Sequence, residues 1–330
     1  MCPLAKCYAF SFNFRIIMKV LGKYALYSLL ALSLIGFVFQ LYSSYNDTQR
    51  FSPNGNLIDI GGYKLHAQKF GEGNITIVFD AGMGDGLLAW NRVIPDISMV
   101  AKVFAYDRAG LGWSEKSPNP RTSSQIVEEL YLLLKKANVE GPLILVGHSF
   151  GGLNMQLFAK KYPDDVVGLI LVDSANENEK DKLPQASLLR KVIFKTGMWA
   201  APIGVPRLYL SLNNPEEHAL KSTIKHQYTS LDESTNYTES LNFVKETKKD
   251  FGQLPLTVIA RNSPSAILEK NKNMSLRNIE WAKLQEELAQ RSSNSELIFS
   301  ENKQHSIHRS QPEVVIKAIK EMIELVGNTP

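Results

Sequence analysis

Gly147-His148-Ser149-Phe150-Gly151-Gly152 is the stretch of this 330-residue chain best equipped for covalent chemistry. The apolar run Leu143 to Val146 before it reads as a buried strand, and Leu153 to Tyr162 after it has helical spacing. A Gly-x-Ser-x-Gly pentapeptide between strand and helix predicts a sharp, strained turn with Ser149 at its tip. Gly147 and Gly151 carry no Cβ, so the backbone can fold tightly there and neighbouring elements can approach. The first N–H groups of the following helix then point at the same spot as the exposed hydroxyl. An alcohol so placed is a nucleophile in waiting, needing a base for its proton and donors for an oxyanion. Six histidines, at 66, 148, 218, 226, 305 and 308, are the candidate bases. A neutral imidazole can take the proton near pH 7 and return it to a leaving group.

The elements around this turn follow from periodicity. Leu57 to Ile60 and Tyr63 to Gln68 flank Gly61-Gly62 as a hairpin. Strands are expected at Asn74 to Phe79, Val103 to Tyr106, Val166 to Val172, Leu256 to Ala260 and Leu297 to Ser300. Helices are expected near Trp90 to Ile97, over Thr122 to Ala137 with Ser123 or Ser124 as cap, at Asn278 to Arg291 and at Glu313 to Val326. This alternation predicts an α/β fold, a mostly parallel sheet flanked by helices. Ligands on such sheets gather at the carboxyl ends of the strands, where loops 80–84, 107–110 and 147–151 and Asp173 fall. Between Asp173 and Leu256 the alternation stops. Helical patterns at Leu188 to Lys195, His218 to Tyr228 and Leu241 to Lys249, with an apolar, proline-broken run from Met198 to Pro206, predict a helical lid insertion at about 176–252. Its apolar part is suited to line an acyl pocket, to touch a membrane, or simply to pack.

Composition narrows the function classes. Apolar residues make up 44% of the chain and charged ones 21%, as in ordinary globular proteins. Four of the 37 basic residues (Lys6, Arg15, Lys19, Lys23) lie in residues 1–45, which hold no acid. The remainder is therefore balanced, 33 basic against 33 acidic, and gives no electrostatic case for nucleic acid. Cys2 and Cys7 are the only cysteines, so disulfides and thiolate metal sites are excluded from the globular part. No His-x-His pair appears and the Gly147 turn lacks a phosphate-loop lysine, so no metal or cofactor is expected.

Tyr24 to Tyr42 is an uncharged, mostly apolar stretch of 19 residues, close to the ~20 that span hydrocarbon as a helix. Lys19 and Lys23 precede it. The positive-inside bias predicts a cytoplasmic N-terminus, a single-pass anchor in residues 1–45 and a catalytic domain, 46–330, on the extracytoplasmic side. A polar linker, Ser43 to Asn56, is expected between them. The alternative is secretion after signal cleavage, for which Ser43-Ser44 is a weak site. Two starts, Met1 and Met18, are open, the second with a tidier basic run after it.

The order of strand, loop Ala81-Gly82-Met83, loop Asp107-Arg108-Ala109-Gly110, Gly-His-Ser-Phe-Gly-Gly, insertion and late histidine resembles the α/β-hydrolase family over about residues 57–326. Tyr106 to Ser114, Tyr-Asp-Arg-Ala-Gly-x-Gly-Trp-Ser, resembles its bacterial membrane-anchored branch. The resemblance implies Ser149 as nucleophile and His305, ahead of the closing helix and seven residues before Pro312, as base. His308 is the competitor, expected at the surface or rim, and His148 a packing residue. The family's usual acid position reads Arg261-Asn262-Ser263-Pro264, without a carboxylate before Glu269. Asp173, one strand earlier, is the preferred third member, with Glu269 as alternative. Phe150 and Met83 N–H are the implied oxyanion donors, and Asp107 and Arg108 a structural ion pair. The expected activity is hydrolysis of an ester or related acyl substrate through an acyl-enzyme. Carbon–carbon bond hydrolases and cofactor-free peroxidase-like relatives keep the same serine and stay open. So does a non-catalytic ligand-binding pseudo-hydrolase. Dehalogenases and epoxide hydrolases of this fold use an aspartate nucleophile, which Ser149 argues against.

Overall fold

The computed structural model describes residues 4–184, 187–210, 212–247, 250–261, 276–301 and 303–327, with side chains from Ile17 onward. Eight strands form one sheet in the order β1-β2-β4-β3-β5-β6-β7-β8. They are β1 (Asn56–Asp59), β2 (Lys64–Phe70), β3 (Thr76–Asp80), β4 (Lys102–Tyr106), β5 (Leu143–His148), β6 (Val166–Val172), β7 (Leu256–Arg261) and β8 (Ser295–Ser300). β2 runs antiparallel to β1 and β4, and every other pair is parallel. Parallel strands covered on both faces must be apolar along their whole length. β3 and β5 are accordingly buried at every residue.

The two-residue period then divides the core in two. Val78, Phe104, Leu145, Leu171 and Val258 face one layer. Ile77, Phe79, Val103, Val146 and Ile170 face the other. Among the helices named here, α1 (Leu4–Arg50), α2 (Ile94–Ile97), α3 (Ser123–Lys136) and α4 (Phe150–Lys161) precede β6, and α3 and α4 cover the first face. The cap of α3 is Thr122, not Ser123 or Ser124. Its side chain accepts from Gln125 N at 3.3 Å, because the helix already begins at Ser123, one residue earlier than a serine cap requires.

Between β6 and β7 the chain forms α5 (Glu179–Lys182), α6 (Leu188–Trp199), a 3-10 turn Ala201–Ile203, α7 (Val205–Tyr209), α8 (Pro215–Lys221), α9 (Ile224–Thr235) and α10 (Tyr237–Glu246). The expected single helix from His218 to Tyr228 is two. Ser222 ends α8, and the Thr223 side chain caps α9 by accepting from His226 N at 3.2 Å. After β7 come α11 (Leu276–Ala289), then β8, α12 (Ile307–Ser310) and α13 (Pro312–Gly327), whose Val315, Ala318 and Ile319 pack on the second face.

At the N-terminus the segment Ile17–Arg50 is long and apolar enough to cross a bilayer. The helix does not stop at Tyr42. It continues through the expected linker to Arg50, because Gln40, Ser44 and Asp47 all find partners on Arg207 or Ser222. Those bonds hold three successive turns against the body of the protein.

Candidate active site

Ser149 joins β5 to α4 at φ 52°, ψ −118°, a strained backbone that L-residues rarely adopt. The turn is closed by glycines. A Cβ on Gly147 would lie 2.6 Å from Gly152 Cα, and one on Gly151 would strike the carbonyls of Asp80 and Ala81. The loop after β3 is thereby pressed against the first turn of α4, which brings Met83 and Phe150 to the same end of the sheet. Ser149 is half-buried and Phe150 buried.

His305, from the segment between β8 and α12, reaches this tip. Its Nε2 lies 2.9 Å from Ser149 Oγ and its Nδ1 2.5 Å from Asp173 Oδ2. A carboxylate only accepts, so Nδ1 carries the imidazole proton and Nε2 is left to accept from the serine hydroxyl. The His305 side chain is 38% exposed while Asp173 is fully buried. Asp173 follows β6 at φ 42° and is held from three sides. Trp281 Nε1 donates to Oδ1 at 2.8 Å, Arg261 N donates to Oδ1 at 3.3 Å, and Arg261 Nε stands 3.4 Å from Oδ2. Fixed donors of this kind orient the carboxylate toward the imidazole. Neither Trp281 nor Arg261 was singled out from the sequence, since an indole on a helix face reads as core. The alternative acid, Glu269, lies outside the described residues.

Two sequence expectations are corrected. His308 is not a surface residue: α12 turns it inward, fully buried between Trp90 and His148, with ring centroids 4.5 and 4.3 Å away. Asp107 and Arg108 do not pair with each other, because these neighbours at a strand end find separate partners. Asp107 accepts from Leu87 N at 2.8 Å and lies 2.8 Å from His66 Nδ1. Arg108 bonds Asp80 at 2.6 Å and Glu233 of α9 at 2.7 Å, and donates to the carbonyls of Ala81 and Gly82. It thus ties the Met83 loop to the helical insertion. Glu233 adds to the tie by accepting from Gly84 N at 2.8 Å.

A second clamp joins the same parts. Asp85 on that loop pairs with Lys221 of α8 and Arg309 of α12, and Glu217 pairs with both cations. Burial opposes ionisation of Asp85, but Lys221 and Arg309 outweigh it and bring its pKa down to about 2. His148 packs as expected, its ring beside that of His305 and its Nε2 3.1 Å from the His305 carbonyl oxygen. Among the described residues, no group of three or more His, Cys, Asp or Glu is arranged to hold a metal ion.

The buried histidines set an acid limit. Burial drives His148 and His308 well below the ordinary histidine value, and the Arg309 guanidinium adds to it at His308. His226, buried as well, falls to about 4. These rings stay neutral in the folded chain where unfolded histidines take up protons, below about pH 6.5. Unfolding therefore absorbs protons there, and stability is lost as the pH falls. The slope is up to about 1.4 kcal/mol per pH unit for each histidine. His308→Phe, which keeps a ring between Trp90 and His148, is expected to flatten that slope by about one proton between about pH 6 and pH 5. Urea titrations in detergent at the two pH values measure it, and an unchanged slope contradicts the account.

A model of the alpha/beta hydrolase fold matches residues 75–193. The uncharacterized protein YqjL of Bacillus subtilis is 29% identical over 261 residues, 79% of this chain and 88% of that protein. Among solved structures, the haloalkane dehalogenase DatA from Agrobacterium tumefaciens C58 superposes with a TM-score of 0.64 at 14% identity, covering 83% of this chain and 97% of that one. A thermophilic esterase from Thermogutta terrifontis gives 0.57 at 19% identity, covering 80% and 94%. Such likenesses in structure speak to the fold alone. With the eight-stranded sheet, the serine turn and the matched model in agreement, the chain has the alpha/beta hydrolase fold.

Proposed function

We propose that the protein is a serine hydrolase of ester or related acyl substrates, tethered to a membrane by α1. The observation that carries this reading is the relay Ser149–His305–Asp173, with bonds of 2.9 and 2.5 Å at the N-terminus of α4. Ser149 Oγ attacks the acyl carbon while His305 Nε2 takes the hydroxyl proton, and the carbonyl electrons move onto oxygen. Phe150 and Met83 N–H are the proposed donors to that oxyanion. The intermediate collapses, the leaving alcohol departs with the proton from His305, and an acyl-Ser149 ester remains. Water, deprotonated by the same imidazole, then releases the acid and restores the serine. Asp173 keeps the imidazole in the required tautomer and stabilises its cation. A serine nucleophile separates this mechanism from that of dehalogenases sharing the fold.

In this reading the helical insertion is a lid, since its α8 and α9 clamp the Met83 loop from above through Lys221 and Glu233. Lys19 and Lys23, in a leader without acids, put the N-terminus in the cytoplasm and the catalytic domain across the membrane. A fluorophosphonate probe tests the reading directly. It is expected to label the full-length protein at Ser149 alone, as read by peptide mass spectrometry, and preincubation with a hydrolysable nitrophenyl ester is expected to slow the labelling. A protein that takes up no label, or takes it elsewhere, is not a serine hydrolase of this design.

A further inference from the structure

We propose that the α6–α7 face of the helical insertion docks into the lipid leaflet that holds α1, so that substrate reaches the serine from the acyl layer of the bilayer. The inference rests on α1 being a membrane helix, as read above, and deepens that reading by naming the route and the substrate class: esters dissolved in lipid.

Depth comes first. The insertion touches α1 inside its apolar stretch, not beyond it. A Cβ on Gly36 would lie 2.5 Å from the carbonyl oxygen of Ile203, and one on Gly204 would lie 3.1 Å from Phe39 Cδ1. Gly36 is six residues before Tyr42, where the apolar run ends. At 1.5 Å per residue the 3-10 turn Ala201–Ile203 therefore sits about 9 Å down the helix from that end. Interfacial helices bury their apolar face by about 5–10 Å, so the depth is that of the headgroup–acyl boundary. The contact is also fixed. Gln40 is buried and donates to Ser222 O at 3.0 Å, and Arg207 pairs with Asp47 at 2.7 Å.

Surface chemistry is the second, independent observation. Leu189, Val192, Phe194, Trp199, Leu208 and Tyr209 are all exposed, on helices flanking the turn that meets α1. Leu189, Val192 and Trp199 share one side of α6 by helical spacing, and exposed apolar side chains in such density mark an interaction site. α6 carries Arg190, Lys191 and Lys195 and no acid, which complements anionic headgroups better than a protein partner of mixed charge. The third observation is the route inward. A cavity of about 560 Å³ is walled by Ile193, Phe194 and Met198 of α6 and by Val205 and Tyr209 of α7, and it reaches Met83 beside the serine turn. The helices that form the exposed face also wall the cavity. Docking them would set that wall against lipid rather than water.

The test uses the full chain with Cys2 and Cys7 replaced by Ser and one new cysteine at position 189, 208, 30 or 57, each labelled with a nitrobenzoxadiazole fluorophore. The proteins are reconstituted in phosphatidylcholine–phosphatidylglycerol vesicles, with or without lipid bearing a nitroxide on its acyl chain. Labels at 189 and 208 are expected to lose emission to the nitroxide as the label at 30 in α1 does, while the label at 57 on β1 does not. A combined L189E, V192E and L208E protein is expected to lose about tenfold or more in hydrolysis of a long-chain ester dissolved in the vesicles. Its kcat/KM on a short soluble ester should stay unchanged. Labels at 189 and 208 that remain unquenched while 30 is quenched overturn the docking and leave the anchor standing. An unquenched label at 30 overturns the anchor and the docking with it. Emission at 189 or 208 that shifts with protein concentration but not with nitroxide assigns the face to a second copy and overturns the proposal. Absence of short-ester hydrolysis in the unsubstituted protein defeats the hydrolase reading separately.

Discussion

Ser149→Ala is expected to lower kcat on any hydrolysed ester by about 10⁴- to 10⁶-fold, with KM little changed. On the proposed mechanism the substitution deletes the atom that forms the acyl-enzyme. What remains is binding and oxyanion stabilisation, which act on water poorly positioned for attack. The fold should survive. Alanine at 149 inherits the same φ of 52° and loses only a half-buried hydroxyl whose partner is His305. Urea midpoints of the two proteins should therefore agree while turnover does not. Asp173→Asn is the graded companion. An amide at Oδ2 donates as well as accepts, so His305 can flip its tautomer and present a protonated Nε2 to the serine. A loss of about 10⁴ in kcat is the expected result. Steady-state assays on a nitrophenyl ester decide both. A Ser149→Ala protein with full turnover would refute the mechanism, and an unaffected Asp173→Asn protein would return the acid to Glu269.

How much of this was legible beforehand differs by kind of residue. β5 and its serine turn could be read directly, since a strand buried on both faces must be a continuous apolar run and a turn this tight needs glycine at Gly147 and Gly151. The sheet's alternation with helices was legible for the same reason. Ser149, Asp173 and His305 were named from motif and chain order, and the structure brings the three together. Local periodicity, however, says nothing about partners far away in sequence. Nothing in Leu276–Ala289 marks Trp281 as a donor to a carboxylate 108 residues earlier. His308 was misplaced because four residues of helix after Ser306 give no period from which to read a buried side. α1 outran its apolar stretch because its last turns are held by tertiary bonds from Arg207, not by their own composition.

The same blindness to distance hid the partners of Arg108, whose removal should have the largest effect on stability. Its guanidinium is 1% exposed and lies between Asp80 and Glu233, which are no more exposed than it is. It also donates to the carbonyls of Ala81 and Gly82, at 2.7 Å each, and packs over the Phe150 ring. Burial alone would lower its pKa, but Glu233 and Asp80 raise it above the ordinary arginine value, so the charge is permanent. Arg108→Met leaves two buried carboxylates without their counter-ion, at a cost of about 3–5 kcal/mol. The substitution also frees the loop that presents Met83. These two consequences can be separated. Adding Asp80→Asn and Glu233→Gln to Arg108→Met removes the stranded charges, and most of the lost stability is expected to return in urea titrations. The carbonyls of Ala81 and Gly82 still lack their anchor in the triple variant. Its kcat should therefore stay depressed by about tenfold or more, the scale of a weakened oxyanion donor. If kcat recovered together with stability, Arg108 would be only a buried charge partner, and the tie between the insertion and the loop beside Ser149 would carry no catalytic weight.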